Sequence, residues 1–152
     1  MKRYLVLICV GVALVVLVVA LMFMGELRAY RNSLRTKAEL ANELAQLQPP
    51  EQATFVHQGS MMSASGVHVS NSYQTDLTYD QVRAHYDKEL AKHGWTFRSH
   101  EALKYWGKDL GASETYYCRG TLSANLFWAG SKPDKLNIRY ELGLRAGTNH
   151  CG

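Results

Sequence analysis

The most constraining feature of the sequence is an uninterrupted apolar run at residues 5–24. The run reads LVLICVGVALVVLVVALMFM, and it contains no charged residue and no proline. A helix of this length rises about 30 Å, which matches the hydrocarbon core of a bilayer. A water-soluble helix that is apolar on all sides over such a length is rare. We therefore predict a transmembrane helix at 5–24, preceded by a short N-terminal tail at 1–4.

The same run has features of a secretory signal, because Lys2 and Arg3 precede it. Signal peptides carry a shorter apolar core of about 7–15 residues and end at a cleavage site of small residues. After Met24 the chain continues with Gly25 and Glu26, which offer no such site. We therefore predict a retained signal anchor and a single-pass membrane protein.

Two features of the sequence disagree about the side of the membrane on which the remaining chain lies. Two basic residues precede the apolar run and four follow within the next 13 residues, and this count favours a cytoplasmic C-terminal part. The rule weakens for long translocated domains. A composition rich in Tyr, Ser, Thr, Asn and Gly favours the outside. We predict a periplasmic or extracellular domain anchored in a bacterial inner membrane, with the charge count as the opposing argument.

Residues 25–50 predict a helical tether and linker. Residues 26–48 are rich in helix formers and lack Pro and Gly, and two prolines at 49–50 end the pattern. An apolar seam at a spacing of three to four residues comprises Leu27, Tyr30, Leu34, Ala41 and Leu44. A homodimer through a short coiled coil is one interpretation, although Lys37 interrupts the seam. A continuous juxtamembrane helix is the simpler interpretation, and we favour it.

The basic excess of the chain lies beside the membrane segment rather than in the domain. The formal charge is +4 overall, whereas residues 51–152 carry 11 Lys and Arg against 10 Asp and Glu. Basic residues that flank a membrane segment meet anionic lipid head groups. A nucleic-acid interface requires a basic surface on the domain. We therefore predict the lipid bilayer as a partner and exclude nucleic acid.

Residues 51–152 predict one α+β domain with the element order β-β-α-β-β-β. Its clearest helix begins with a capping box at Thr78 and Gln81 and ends at Gly94. The apolar stripe of this helix comprises Tyr79, Val82, Tyr86 and Leu90. The predicted strands are 53–57, 67–74, 95–98, 114–128 and 136–145, with loops at 58–66 and 101–112 and a turn at 129–135. We expect two layers, with the helix stripe packed on one face of a mainly antiparallel sheet.

Residues capable of chemistry form no recognisable catalytic or metal-binding motif. The six histidines lie on different predicted elements without ligand spacing, and no nucleophile elbow, P-loop or dinucleotide motif occurs. Cys118 and Cys151 are a candidate disulfide if the compartment is oxidising. A buried Cys118 and a free Cys151 are the alternative. We predict no catalytic residue, no cofactor and no metal site.

The best candidate for an interaction site is a pair of aromatic residues between lysines. Lys104, Tyr105, Trp106 and Lys108 surround Gly107 in a connection suited to docking onto a protein, a glycan or lipid head groups. In the alternative interpretation Trp106 covers a sheet edge. We predict an accessory or assembly subunit of an envelope complex with a protein partner. A ligand-binding sensor domain is the first alternative, and a membrane-anchored hydrolase-like enzyme is the least favoured.

Overall fold

The computed structural model describes residues 2–63, 65–105, 107–130, 138–147 and 151, and it describes the side chains of all of these except residues 2–16 and Tyr105. The elements in chain order are α1 (Lys2–Gln46), β1 (Thr54–Ser63), β2 (Gly66–Gln74), α2 (Tyr79–Lys92), β3 (Thr96–Tyr105), β4 (Lys108–Arg119), β5 (Leu122–Trp128) and β6 (Tyr140–Gly147). Neighbouring strands are antiparallel in the order β1-β2-β6-β5-β4-β3. The chain is thus an α+β protein with one long helix and a six-stranded antiparallel sheet, which confirms the predicted fold class.

The long helix α1 includes the predicted membrane segment at 5–24. The side chains of residues 5–16 lie outside the described part of the chain. Among the described residues, no helix combines the length and the apolar character that crossing a membrane requires. The transmembrane helix stays a prediction from the sequence.

The chain divides into two compact units, Met1–Arg35 and Thr36–Gly152. In the first unit, three residues of the predicted seam are exposed to solvent: Leu27, Tyr30 and Leu34. The structure contains one copy of the chain, and the coiled-coil homodimer stays a prediction.

The second unit begins before the domain boundary predicted at residue 51, because the end of α1 belongs to its core. Three leucines at or just beyond this end are at most 2% exposed: Leu40, Leu44 and Leu47. Glu43 lies among them and accepts hydrogen bonds from Trp95 Nε1 at 3.1 Å and from Arg119 Nη2 at 2.6 Å. Part of the predicted tether is therefore a structural element of the domain.

The helix α2 begins at the predicted capping box. Gln81 N donates to Thr78 Oγ1 at 3.4 Å, and Thr78 N donates to the Gln81 side chain at 2.8 Å. The predicted stripe is confirmed, since three of its residues are fully buried in the core: Val82, Tyr86 and Leu90. After the helix, Gly94 adopts a φ of +78°, the left-handed conformation that favours glycine at a helix end.

One face of the sheet carries the core. Its main residues come from β2, β4, β5 and β6: Val67, Val69, Tyr73, Tyr117, Ala124, Leu126, Trp128, Tyr140, Leu142 and Leu144. The Tyr86 ring of α2 meets the Tyr140 ring edge-on at 5.9 Å. Burying an apolar side chain such as Leu126 or Leu142 contributes about 1.5–3 kcal/mol to stability. The predicted packing of the helix stripe on one face of the sheet is thus confirmed, and this face bears Tyr140.

Two regions predicted as loops contain strands. Most of the predicted loop at 58–66 belongs to β1 and β2, and the predicted loop at 101–112 is the hairpin of β3 and β4. Polar residues along β1 gave no alternating pattern, because nearly all of its residues are exposed. Of the predicted turn at 129–135 and strand at 136–145, residues 131–137 lie outside the described residues, and β6 begins at Tyr140.

The predicted strand at 114–128 is two strands. Gly120 adopts a φ of +58° in the turn between β4 and β5, and a left-handed residue interrupts the extended chain. A continuous strand would place Cys118 and Ala124 on the same face, because side chains alternate with a period of two. The turn instead places Tyr117 in the core opposite Ala124, whereas Cys118 pairs with Ser123 on the other face.

Candidate functional site

The predicted interaction loop at 104–108 forms the tip of the β3–β4 hairpin. Tyr105 pairs with Lys108, and the exposed Lys104 pairs with Asp109. Gly107 adopts a φ of +76° in the turn. Trp106 and the side chain of Tyr105 lie outside the described residues. The use of this tip for docking stays a prediction.

Cys118 and Cys151 form a disulfide with a Cα–Cα distance of 5.6 Å. The bond links β4 to a residue 33 positions further along the chain. A sulfur in a disulfide is not a thiolate, and the thiolate is the nucleophilic form of cysteine. The pair is therefore a covalent staple in this structure.

The sheet face opposite the core carries mainly polar side chains, and we call it the open face. The strand register aligns three rows across β2, β6, β5 and β4: His68–Arg145–Ser123–Cys118, Ser70–Gly143–Asn125–Tyr116, and Ser72–Glu141–Phe127–Glu114. Helix α2 and the end of α1 both contribute to the core on the other face. The open face is thus the side of the sheet that these helices leave uncovered.

A polar cleft lies in the open face. Three serines of this face are at most 5% exposed, Ser70, Ser72 and Ser123, and Ser123 lines the cleft. Gly143 lies in the middle row, and a Cβ at this position would overlap His68 Nε2 and Asn125 Oδ1. These two side chains therefore converge over the glycine. The cleft has a volume of about 100 Å³, and its lining comprises His68, Glu114, Tyr116, Ser123, Asn125 and Arg145.

Hydrogen bonds fix the acidic side of the polar cleft. Asn125 Nδ2 donates to Glu114 Oε1 at 2.8 Å. Burial, followed by a hydrogen bond to Glu114, raises the pKa of Tyr116 above its usual range. The Tyr116 phenol therefore keeps its proton at neutral pH and acts as a donor.

The imidazole of His68 is neutral at neutral pH. Burial lowers its pKa from the usual value of 6.5, and this effect outweighs the opposing attraction of the Glu141 carboxylate. Arg145, which faces His68 across the strands, lowers the pKa further. A neutral imidazole has one donor and one acceptor nitrogen. The cleft thus combines a cation, a phenol donor, one carboxylate acceptor and an imidazole of dual character.

The groups of the cleft can form hydrogen bonds with a polar partner. The donors at Arg145 and Tyr116 match carbonyl and carboxylate oxygens, while Glu114 matches amide and ammonium groups. Among the described residues, no three His, Cys, Asp or Glu side chains are arranged to hold a metal ion.

A second groove lies between α2 and the linker at 48–52. Glu89, only 6% exposed, accepts hydrogen bonds from Lys92 Nζ at 2.6 Å and from Gln48 N at 3.4 Å. The hydrogen bond from Lys92 lowers the pKa of Glu89. His85 Nε2 lies 2.7 Å from the carbonyl oxygen of Gln48. These contacts fasten the linker to α2, so we assign this groove a structural role.

Sequence reasoning missed the polar cleft although its residues lie on strands that were partly predicted. The polar residues of β2 and β6 alternate with core residues, and this pattern was visible in the sequence. The same alternation is typical of any strand with one face in water. Register is what brings His68 beside Arg145 and Gly143 beside Asn125. A glycine in the middle of β6 was the one local signal of a special site.

Comparison of the chain with protein-family models, with curated proteins and with solved structures found no match.

Proposed function

We propose that the chain is a single-pass membrane protein whose domain lies outside the cytoplasm and binds a protein partner through the polar cleft. In this role it is an accessory or assembly subunit of an envelope complex. The observation that carries the proposal is the open face, where buried small residues and ordered polar side chains form a cleft that the helices leave uncovered. A purely solvated sheet face has no need of such ordering.

The membrane anchor is supported by the apolar run at 5–24, which is long enough to cross a bilayer as a helix. The external location is supported by the Cys118–Cys151 disulfide, because disulfides persist in oxidising compartments and are rare in the cytosol. This argument opposes the count of basic residues that flank the run. We give the disulfide more weight, because the charge rule weakens for long translocated domains.

The location is tested by labelling with a membrane-impermeant maleimide in spheroplasts. The label site is Lys88→Cys on the exposed side of α2, with Lys2→Cys as the matched site before the apolar run. Cys9 is replaced by alanine in both chains. We expect Lys88→Cys to react in intact spheroplasts and Lys2→Cys to react only after lysis. The reverse pattern would place the domain in the cytoplasm and refute the proposed location.

Partner binding is tested by affinity purification of the native protein in mild detergent, with mass spectrometry of the proteins that accompany it. Arg145→Glu reverses the charge of the exposed cation at the cleft. Lys88→Glu makes the same change on α2, away from the open face, and serves as the control. We expect the partner to be lost with Arg145→Glu and kept with Lys88→Glu. Equal recovery of the partner with both variants would exclude the cleft as the binding site.

A second candidate function, binding of a small polar ligand, is favoured by the convergence of His68 and Asn125 over Gly143. A ligand that binds the folded state raises the midpoint of unfolding. A panel of amino acids, carboxylates and amides is screened for such a rise with the wild type. A ligand seated over the glycine should lose its effect in Gly143→Ala and keep it in Lys88→Glu. Absence of any such ligand, with a protein partner recovered, would leave only the interaction function.

A further inference from the structure

The two edges of the sheet differ in their protection against pairing with another strand. The edge strand β3 carries Arg98, Glu101 and Lys104, and its register shifts twice along its length. Charged residues and bulges are the features by which natural sheets block edge-to-edge association. The other edge strand, β1, has no charged residue and no proline in its 10 residues. Its single register shift lies near its start, between Phe55 and His57.

From His57 to Ser63 the register of β1 with β2 is unbroken. As an edge strand it has one neighbour in the sheet, so the backbone groups on its outer side point away from β2. Three apolar side chains of β1 are also exposed: Phe55, Met61 and Met62. An uncharged, regular edge with exposed apolar side chains is a template for an added strand.

We propose that β1 pairs antiparallel with β1 of a second copy of this chain, which joins the two sheets across a two-fold axis. The centre of the regular stretch is Ser60, and a two-fold axis at this residue pairs all positions from His57 to Ser63. An antiparallel pair of identical strands is self-complementary by symmetry. Because the stretch has no charge, no like charges face one another across the axis.

The charge of the domain does not oppose a second copy. Residues 51–152 carry 11 basic and 10 acidic side chains, so two domains approach with little net repulsion. Charged side chains at an interface suppress wrong partners and help to select the right one. The regular stretch of β1 has no charged side chain with which to select a foreign strand. The dimer surface is the outer edge of β1, whereas the polar cleft is lined by β2, β4, β5 and β6.

The first test is disulfide cross-linking in native membranes. In a chain with Cys9→Ala, Ser60→Cys places two cysteines opposite one another at the axis. Directly opposed residues of antiparallel strands have Cα atoms about 4.5–5.5 Å apart, which a disulfide spans. We expect a cross-linked species of twice the 17.1 kDa chain mass. The matched variant Ser99→Cys, on the protected edge β3, should stay uncross-linked.

The second test is the oligomeric state of the full chain in mild detergent. Ser60 is exposed, so Ser60→Lys adds a charge to the edge without disturbing the core. We expect the wild type to be a dimer, Ser60→Lys to be a monomer at the same concentration, and Ser99→Lys to remain a dimer. A monomeric wild type would overturn the proposal. A dimer that survives Ser60→Lys would also overturn it, because the tether rather than β1 would then hold the two chains together. A Ser60→Cys cross-link to a protein of another mass would assign the edge to a foreign strand and equally overturn it.

Discussion

Replacing Leu44 by alanine should destabilise the domain strongly, although this residue lies on the helix that was predicted as a tether. Leu44 is 1% exposed and sits in the same buried cluster as Leu40 and Leu47. Leucine-to-alanine changes at such sites cost about 3 kcal/mol, from lost transfer free energy and from the cavity that remains. With a urea m-value of about 1.5 kcal/mol/M, the unfolding midpoint should fall by roughly 2 M.

The control is Leu34→Ala, which makes the same change on the same helix. Leu34 is 41% exposed. Both variants replace leucine by alanine in a helix, so the change in helix propensity is the same. The difference between their unfolding midpoints therefore reports the effect of burial. Unfolding is followed by near-ultraviolet circular dichroism of the full chain in detergent micelles, which reports the packing of the aromatic core. We expect Leu34→Ala to shift the midpoint by no more than about 0.3 M. Equal midpoints for the two variants would refute the packing of this segment in the domain core.

Three further changes have expected outcomes. The double change of Cys118 and Cys151 to serine should lower the free energy of unfolding by roughly 3–4 kcal/mol, because the disulfide joins residues 33 positions apart. Urea unfolding measures this loss. A wild type that keeps its unfolding midpoint after reduction would contradict it. The His68 ring should titrate by NMR below 6.5, because burial lowers its pKa. The unfolded chain then binds the proton more readily, so stability is complete above about pH 6.5 and declines as pH falls, and His68→Gln should flatten this decline in urea titrations at pH 5 to 7. Thr78→Ala should lower the free energy of unfolding by about 1 kcal/mol, because the N-cap hydrogen bond is lost. Thr78→Ser should keep most of the wild-type stability in the same assay.

The elements predicted well from sequence are those with local signals. Helix α2 has a cap at Thr78, a stop at Gly94 and a buried stripe between them. Strands β2 and β6 alternate between core and polar residues because each has one dry face. Such signals depend on neighbours within a few positions along the chain, and tertiary context did not override them.

The elements predicted poorly lack a local signal for a physical reason. Strand β1 is exposed on both sides, so no period of two marks it, and its polar residues resemble a loop. The turn at Gly120 is short, and strand-like residues flank it on both sides. A single extended strand was therefore the simpler interpretation. A continuous strand would have put Cys118 and Ala124 on one face, whereas the turn puts them on opposite faces.

The seam of α1 shows the same limit in a helix. A stripe of apolar residues at a spacing of three to four residues is equally suited to a coiled coil and to packing against a sheet. The structure resolves the ambiguity for the end of the seam, where Leu44 is buried with the sheet residues. Periodicity identifies which side of a helix is apolar, but it does not identify what covers that side.

The polar cleft shows the same limit of periodicity in a sheet. Half-buried strands have a polar face whether that face meets water or a partner, so the alternation in β2 and β6 carried no information about binding. The cleft appears only when the rows are aligned, because the register brings buried serines and converging polar side chains onto one face. Gly143 belongs both to strand β6 and to the polar cleft. Its missing side chain leaves the space into which His68 and Asn125 converge, and any larger residue there would displace them. The position should therefore respond to substitution through partner binding as well as through stability, whereas a glycine required only by its strand would affect stability alone.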